Sequence, residues 1–566
     1  SQGHISPEEA KRLTDLYDHF LGAFRQTMGD GEAAAQAKAM LAERLDKEGL
    51  QRQRAALLQL DKAEEIKTRL LSNANARGEA DPAQALTYLI EYFGELEGGG
   101  GSSVVGRQRA LTGLAHAQME EVLNEFRRGY SGRRLNKAKL DNVVREAFGE
   151  DTGDASAKAL ARAWIATADD LRQRYNQYGG MIGQLENWGL PQRHDGRAIR
   201  KAGFQQWRAD ILSAESGLDT ARMRDHLTGQ LLTPEQLEES LRHVFDSITT
   251  EGWAHRDPGM AAGGKGALFK QHAESRFLVF KNADAWLAYQ KKYGEGDPFA
   301  AMMAHVNVMA RDIGVMQVLG PNPESMLTYA KQLVLKNAHA ARMGDPAEFV
   351  RKTEWLGRPV RDPVEYAKAS IHRAEQMWNY VRGSTNTPVS TAMADTVATA
   401  RNVVSAAALG SAVLSAPSDL AFQKTARQFA GLPVNGMLGE IVRNFSTASQ
   451  REMTRTGLIL DSAAHTLGEN ARYAGLQTGK AWSVVLQDRV MAGQGLSAWT
   501  QAGKQAFGLI VQGTLADHAH VLYEALPGAV ARTLRRYGID AGMWDVIRMT
   551  PLHELQAGSG ATILRP

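Results

Sequence analysis

The stretch from Asp297 to Pro321 reads DPFAAMMAHVNVMARDIGVMQVLGP and decides the fold class of this chain. Asp297 before Pro298 is typical of a helix N-cap followed by a first-turn proline, and the Gly-Pro pair at positions 320 and 321 ends the pattern. In between, apolar residues follow one another in steps of 4, 3, 4 and 3, at Met302, Val306, Met309, Ile313 and Met316. These steps predict one long helix with a heptad-like apolar seam.

The same periodicity recurs along the chain. Leu111, Ala115, Met119, Val122 and Phe126 also lie on one helical face. Alternating apolar and polar runs are scarce, and the best of them, residues 276–280, is too short to found a sheet. The sequence therefore predicts an all-α protein built of elongated multi-helical bundles, with no substantial β-sheet.

Length and composition predict several domains. A chain of 566 residues exceeds the roughly 100 to 200 residues of a usual domain. Gly98 to Gly101 and the two serines after them have linker composition, and beyond about residue 386 the chain becomes richer in Ala, Ser, Thr and Gly. We predict a charged helical N-terminal region at 1–97, a linker at 98–103, a central helical domain at 104–385 and a C-terminal helical domain at 386–566.

Charge and cysteine content exclude whole classes of function. The 66 Lys and Arg against 63 Asp and Glu leave a net charge of +3, too small for the whole chain to coat phosphate, so any contact with nucleic acid must be local. The chain has no cysteine, which excludes disulfides, thiolate catalysis and Cys-type zinc sites.

One basic cluster is a candidate DNA contact. Tyr130 lies within it, and an aromatic ring among cations can stack on a base while the cations grip phosphates. A solvated turn between two helices explains the same residues equally well. The cluster consists of Arg127, Arg128, Arg133, Arg134, Lys137 and Lys139.

Three motifs resemble catalytic signatures and each is incomplete. Residues 259–266 fit a phosphate loop up to its lysine, but Gly266 stands where a hydroxyl should hold magnesium. Glu274-Ser275 matches the Glu-Ser pair of lytic transglycosylases without the glycan-cleft motif that follows it there. His553-Glu554 lacks the second histidine of a zinc protease. We predict no catalytic residue, no metal site and no cofactor.

Two histidines are further candidates for site residues. His305 lies beside the methionine-rich seam, where a partly buried, hydrogen-bonded role is the simpler interpretation. His194-Asp195 follows a turn at residues 188–192 and looks like the N-cap region of the next helix. No nucleophile is recognisable beside His194, so we interpret this stretch as a structural corner, with an active site as the alternative.

The apolar run from Val403 to Ala416 is shorter than the roughly 20 residues that span a bilayer. Its small side chains permit close helix contact, either in a soluble bundle or after insertion of an assembled protein into a membrane.

Several blocks of this chain resemble blocks of the large internal virion proteins of tailed bacteriophages and prophages. They fall between about residues 104 and 550. They are YNQYGGMIGQLENWGLPQRHD at 175–195, FLVFKNADAWLAY at 277–289, GEGDPFAAMMAHV at 294–306, LGPNP at 319–323, LRRYGID at 534–540 and WDVIR at 544–548.

The resemblance implies an ejection protein. Such a protein is packed inside the capsid and then released through the portal and tail into the host envelope and periplasm, where copies form a conduit for the genome. It would act by self-assembly with its own copies and other ejection proteins, and would touch the host membrane in its assembled form. From the shift to Ala, Ser and Gly, we predict that residues after about 390 supply much of the contact for assembly. The alternatives are a cell-wall hydrolase used during penetration and a non-catalytic helical part of a larger virion enzyme.

Overall fold

A computed structural model gives the fold of the chain. It describes residues 7–25, 28–73, 81–92, 103–126, 139–184, 189–213, 217–223, 231–249, 278–294, 297–343, 354–355, 358–359, 362–382, 393, 396–397, 399–401, 416–436, 439, 496–537, 539–554 and 562–564.

Helices dominate these residues. In chain order they are α1 (Pro7–Phe24), α2 (Asp30–Ser72), α3 (Pro82–Ile90), α4 (Val104–Gln118), α5 (Glu120–Glu125), α6 (Leu140–Ala147), α7 (Ala155–Gln177), α8 (Gly196–Ile211), α9 (Pro234–Thr249), α10 (Ala283–Tyr293), α11 (Pro298–Leu319), α12 (Pro323–Met343), α13 (Pro363–Arg382), α14 (Ala416–Ala430), α15 (Leu496–Asp517), α16 (Gly528–Arg536) and α17 (Ala541–Arg548). A short 3₁₀ helix, Tyr523–Ala525, precedes α16.

Extended structure is confined, in the described part of the chain, to two small antiparallel pairs and isolated bridges. Strand β1 (Glu354–Trp355) pairs with β2 (Arg358–Pro359), and β3 (Leu552–Glu554) pairs with β4 (Thr562–Leu564). The prediction of an all-α fold is therefore confirmed.

The chain forms two compact units, each assembled from separate segments. Unit 1 comprises residues 1–61, 179–188 and 192–295, and unit 2 comprises 62–178, 189–191 and 296–566. Residues 98–102 of the predicted linker and the predicted boundary near 386 fall outside the described residues, so both boundaries stay predictions.

Helix α11 forms the centre of unit 2. The Asp297 carboxylate accepts the Ala300 N–H at 2.9 Å, and Gly320 ends the helix with a φ of +77°, so both predicted ends are confirmed. The predicted seam is too narrow, because no residue of α11 is exposed. A helix that is apolar on all sides is a core helix with neighbours on every face.

Helix α4 packs antiparallel to α11. Phe126, after the end of α5, stacks near Phe299 at the start of α11, whereas Val104 at the start of α4 lies beside Gly314 near the end of α11. The apolar face predicted from Leu111 to Phe126 is buried as expected, with a break in helical dihedrals at Met119 that separates α4 from α5. Helices α6, α7 and α12 complete the surroundings of α11.

The turn after α7 is fixed by glycines. Gly179 has a φ of +102° next to the C-cap Tyr178, and Gly189 has a φ of +69°. The indole N–H of Trp164, which is fully buried in α7, donates to the Gly189 carbonyl oxygen at 3.0 Å. A Cβ at Gly189 would come within 2.3 Å of the Phe148 ring, so glycine is required here by both space and conformation.

The C-terminal part of unit 2 has a small core of its own. Leu526, Val530, Leu534 and Trp544 are buried together, and the Trp544 indole donates to the Val521 carbonyl oxygen at 2.9 Å. Helix α17 is thereby anchored through a single buried aromatic side chain.

Unit 1 contains two described groups of packed side chains. Leu16, Phe20 and Phe24 of α1 pack against Ala33 and Ala37 of α2. Helices α8, α9 and α10 form the second group, which includes the corner that carries His194.

Among the described residues, none of the helices combines the length and apolar composition that crossing a bilayer requires. Residues 403–415 of the apolar run that ends at Ala416 lie outside the described part of the chain.

Candidate functional site

His194 is held at a corner of unit 1 by backbone contacts. Asp195 caps α8 as predicted, with its carboxylate accepting the N–H groups of Arg197 and Ala198 at 3.0 and 3.1 Å. The Asp195 N–H donates to the Tyr293 carbonyl oxygen at 2.8 Å, and His194 forms a β-bridge with Gly294. The end of α10 therefore positions the start of α8.

Two side chains that the sequence interpretation did not identify lie around His194. Its Nδ1 atom is 2.9 Å from the Tyr289 hydroxyl of α10, and the Trp207 indole of α8 donates to the same hydroxyl at 3.1 Å. The Tyr289 oxygen accepts from the Trp207 indole and shares a second hydrogen bond with the Nδ1 atom of His194, in which the imidazole tautomer decides the donor.

The electrostatics keep this trio uncharged near neutral pH. Burial lowers the pKa of the His194 imidazole to about 4 and raises the pKa of the Tyr289 phenol. The neutral imidazole of His194 and the neutral phenol of Tyr289 share one hydrogen bond. The hydrogen bonds described for these two side chains include none to a carboxylate or to a nucleophilic hydroxyl. The arrangement orients three side chains, which supports the predicted structural corner.

A charged layer flanks the corner. The Asp210 carboxylate accepts from the Lys292 ammonium at 2.6 Å and from the Tyr293 hydroxyl. Although burial raises its pKa, these bonds hold the pKa of Asp210 below its usual value, whereas burial and Asp210 together raise the pKa of Tyr293. These contacts tie the end of α8 to the end of α10.

An aromatic cluster joins α9 to the same corner. Phe245 of α9 lies 5.5 Å from Phe204 and 5.7 Å from Trp207, measured between ring centroids. The Arg242 guanidinium stacks over the Phe204 ring at 4.2 Å. These contacts bury Trp207 completely and fix its indole toward Tyr289.

Unit 2 holds a buried ion pair that the sequence pattern did not indicate. Arg311 and Asp312 of α11 join through Nε and Oδ1 at 2.6 Å, with side chains 13% and 3% exposed. Burial acts to lower the pKa of Arg311, but the adjacent carboxylate raises it overall. Burial raises the pKa of the Tyr175 phenol in α7, and the negative charge of Asp312 adds to this effect. Consecutive charged residues inside an apolar helix give no periodic signal, which is why the pattern missed them.

The predicted DNA contact is described at one residue only. Lys139 forms an ion pair with Glu125 at 3.1 Å, and both side chains are about one-quarter exposed. The other five members lie outside the described residues, which leaves the contact a prediction. They are Arg127, Arg128, Arg133, Arg134 and Lys137.

The structure describes only some of the histidines and motifs singled out in the sequence. His305 makes an edge-on contact with the Trp164 ring, with centroids 5.7 Å apart. His553 and Glu554 lie in strand β3, whereas a zinc-protease motif requires a helix. Residues 259–266 and Glu274 lie outside the described part of the chain. Within that part, no three His, Asp or Glu side chains are grouped as metal ligands would be.

Exposed apolar side chains open to a partner occur near the end of unit 2. Met543 and Val546 of α17 and the C-cap residue Met549 follow each other at intervals of three, and Leu552 continues the series in β3. All four are exposed, Val546 and Met549 to 74% and 77%. We call these four residues the C-terminal apolar surface.

Comparison of the chain with protein-family models, with curated proteins and with solved structures finds no match.

Proposed function

We propose that this chain is an internal virion protein of a tailed bacteriophage or prophage, released from the capsid to help form a conduit for the genome across the host envelope. It acts by self-assembly and not by catalysis. Its partners are further copies of itself and other ejection proteins, with the portal and tail along its path.

The observation that carries this proposal is the C-terminal apolar surface. An isolated exposed leucine needs no explanation, but a row of four large apolar side chains marks a contact surface. Two more exposed residues, Leu522 and Tyr537, lie close to this row in the sequence. Their position after residue 390 agrees with the expectation that the C-terminal region supplies contacts for assembly.

The chemistry of the chain suits release and reassembly. With no cysteine, the chain needs no disulfide exchange to recover its fold after passage through a tail. Helices form from contacts close in sequence and therefore form quickly, on a microsecond scale of about 0.1 to 1 μs for short ones.

A direct test combines particle size with imaging. The purified chain should form rings or tubes in the presence of lipid vesicles and partner ejection proteins, seen by negative-stain microscopy and by sedimentation. Mass spectrometry of purified virions should find the chain inside the capsid, and fractions of infected cells should contain it in the envelope. A strict monomer under every condition contradicts the proposal.

The hydrolase alternative has its own test, because Glu274 is the one carboxylate with partial motif support. We expect no clearing of peptidoglycan by the purified chain in zymography. If the purified chain cleared peptidoglycan and Glu274→Gln did not, catalysis and not self-assembly would be the main function.

A further inference from the structure

Two segments of unit 2, one around the end of α14 and one around α16, carry positive charge and no negative charge. Residues 420–436 and 525–539 contain no Asp or Glu. The whole chain, by contrast, is nearly balanced, with 66 basic against 63 acidic residues. A local excess of cations of this kind attracts a polyanion to one part of a molecule. The basic residues of the two segments are Lys424, Arg427, Arg532, Arg535 and Arg536.

The end of α14 is packed closely against α16. Gly431, which follows α14, has a φ of +74°, and a Cβ added to it would lie 2.5 Å from the Cβ of Ala529 in α16. The Arg427 side chain is fully buried, and its Nη1 atom donates to the Pro433 carbonyl oxygen at 3.4 Å. These contacts fix the turn after α14 and hold the last residues of α14 beside α16.

An aromatic side chain is exposed where the two helices meet. Phe429 of α14 is 66% exposed, and the Arg536 guanidinium of α16 lies over its ring, 5.5 Å from the ring centroid. A cation over an aromatic face is attracted by the negative charge of that face. Because Phe429 stays largely exposed with this guanidinium in place, the remainder of the ring is open to a flat ligand.

Two further arginines extend the cationic surface along α16. Arg532 and Arg535 are exposed, whereas Val530 and Leu534 of the same helix are buried in the core. At 100° per residue the two arginines lie on the side of the helix away from that core. The planar guanidinium binds phosphate oxygens in pairs, which makes arginine well suited to nucleic-acid contacts.

We propose that Phe429, Arg532, Arg535 and Arg536 form a binding surface for single-stranded nucleic acid. A base stacks on the Phe429 ring, and the three guanidinium groups hold the phosphates on either side of it. Aromatic rings beside cations bind single strands in this way with little regard to sequence. This binding goes beyond the proposed self-assembly and does not depend on it, so that either one can fail alone.

The same arrangement suits a lipid surface less well. A helix that lies in a membrane interface inserts an apolar face and keeps its charges at the headgroups. The large apolar residues of α16, Val530 and Leu534, are already buried in the protein core, so this helix has no such face to insert. A single exposed ring, Phe429, is the only large apolar side chain among the four members of the surface.

Removal of the ring tests the stacking. Fluorescence anisotropy with the full chain and a labelled oligothymidylate of about 15 nucleotides measures the affinity. Phe429→Ala should weaken binding about tenfold without changing the slope of log affinity against log salt, and Phe429→Trp should retain the affinity. Tyr380→Ala, which removes a 49% exposed ring from α13, is the control and should bind as the parent does. Equal affinities of Phe429→Ala and the parent would overturn the proposal.

A duplex of the same length distinguishes stacking from a general loss of binding. The faces of its bases are covered by their neighbours in the stack, so Phe429→Ala should bind the duplex as tightly as the parent does. An equal loss of affinity for duplex and single strand would contradict a base stacked on the ring. Because Phe429 is exposed, its replacement should also leave the melting temperature unchanged.

Removal of the cations tests the phosphate contacts. Arg532→Gln combined with Arg535→Gln should weaken oligothymidylate binding and reduce the salt slope by about 0.7 for each phosphate that is no longer neutralised. Arg52→Gln combined with Arg54→Gln makes the same change of net charge at exposed positions of α2 and should leave the slope as it is. Equal changes of slope in the two double variants would show that this surface does not hold the strand.

Vesicles test the lipid alternative with the same variants. Sedimentation with phosphatidylglycerol vesicles and with phosphatidylcholine vesicles should give the same result for the parent and for the Arg532→Gln, Arg535→Gln variant. If this variant lost binding to the phosphatidylglycerol vesicles and kept its affinity for oligothymidylate, the surface would belong to a membrane contact and the proposal would be overturned.

Discussion

The sequence predicted the position of His194 at a helix start correctly, but it did not predict the side chains that His194 contacts. The sequence predicted a corner with Asp195 as a helix cap, and the cap bonds are present. The contacts of Tyr289 with His194 and with Trp207 were not predicted. Tyr289 lies 95 positions from His194 and 82 positions from Trp207 in the sequence. Local spacing reports caps and turns, whereas a hydrogen bond across such distances depends on packing. The missing signal was therefore tertiary.

The low pKa of His194 leads to a dependence of stability on pH. The pKa is about 4 in the folded chain and about 6.5 in an unfolded one, so the unfolded state takes up the proton first as the pH falls. The free energy of unfolding should therefore decrease between pH 6.5 and pH 4, by up to about 3 kcal/mol from this residue.

His194→Asn retains an acceptor for the Tyr289 hydroxyl and cannot titrate. Urea titrations of the two proteins should show a stability difference that changes with pH below 6.5 and is constant above it. Parallel curves from pH 7 to pH 4 would show that His194 is accessible to protons in the fold. Tyr289→Phe serves as a control, with a loss of about 1 to 3 kcal/mol at neutral pH from the unpaired buried groups.

At the scale of the element, α11 was the part of the fold most accurately predicted. Its cap, its first-turn proline and its terminal glycine act locally, and each lies where the sequence placed it. Its environment was predicted less well, because Ala300, Ala301, Ala304 and Ala310 are small enough to be overlooked in a seam of large residues. In the structure these alanines are buried and let neighbouring helices approach.

Gly314 of α11 lies so close to the backbone of α4 that adding a single methyl group there should change stability. A Cβ at Gly314 would lie 3.0 Å from the Gln108 nitrogen and 3.1 Å from the Val104 carbonyl oxygen, both backbone atoms of α4. Gly314→Ala should therefore force α4 and α11 apart and cost about 1 to 3 kcal/mol from overpacking, offset in part by its better helix propensity.

Gly49 of α2 provides the matched control. Nothing lies within 4 Å of a Cβ added there, so Gly49→Ala should stabilise the chain by up to about 1 kcal/mol. Thermal unfolding followed by circular dichroism measures both variants. An equal rise in melting temperature would mean that α4 and α11 are not tightly packed.

At the scale of the whole molecule, apolar periodicity predicted the fold class, but neither periodicity nor composition could predict how segments combine. Linker-like stretches mark places where the chain can turn, yet compact unit 1 gathers residues 1–61 with 192–295. Which segments associate depends on complementary surfaces distant in sequence, and no local pattern records them. The C-terminal apolar surface was equally invisible, since exposure is known only when the core is known.

With a net charge of only +3, the predicted DNA contact would depend on the one basic cluster, so the effect of removing that cluster should be measurable. Replacing Arg127, Arg128, Arg133 and Arg134 by glutamine should weaken binding to duplex DNA and flatten the slope of log affinity against log salt. The slope changes by about 0.9 for each phosphate that the protein no longer neutralises. Fluorescence anisotropy at several salt concentrations provides the measurement.

Lys139→Gln is the comparison for this experiment, because its ammonium already pairs with Glu125. It should change the slope less than the four arginines do. A slope that the arginine substitutions leave unchanged would assign the cluster to a solvated turn.

The antiparallel packing of α4 on α11 has a consequence for synthesis on the ribosome. Val104 meets its neighbour Gly314 only after the intervening chain has been made, and translation at about 5 to 20 residues per second makes this delay about 10 to 40 s. During that time the nascent chain displays the apolar face of α4 without its main packing partner. Productive folding in the cell should therefore depend on a chaperone that binds between residues 104 and 126 until α11 emerges.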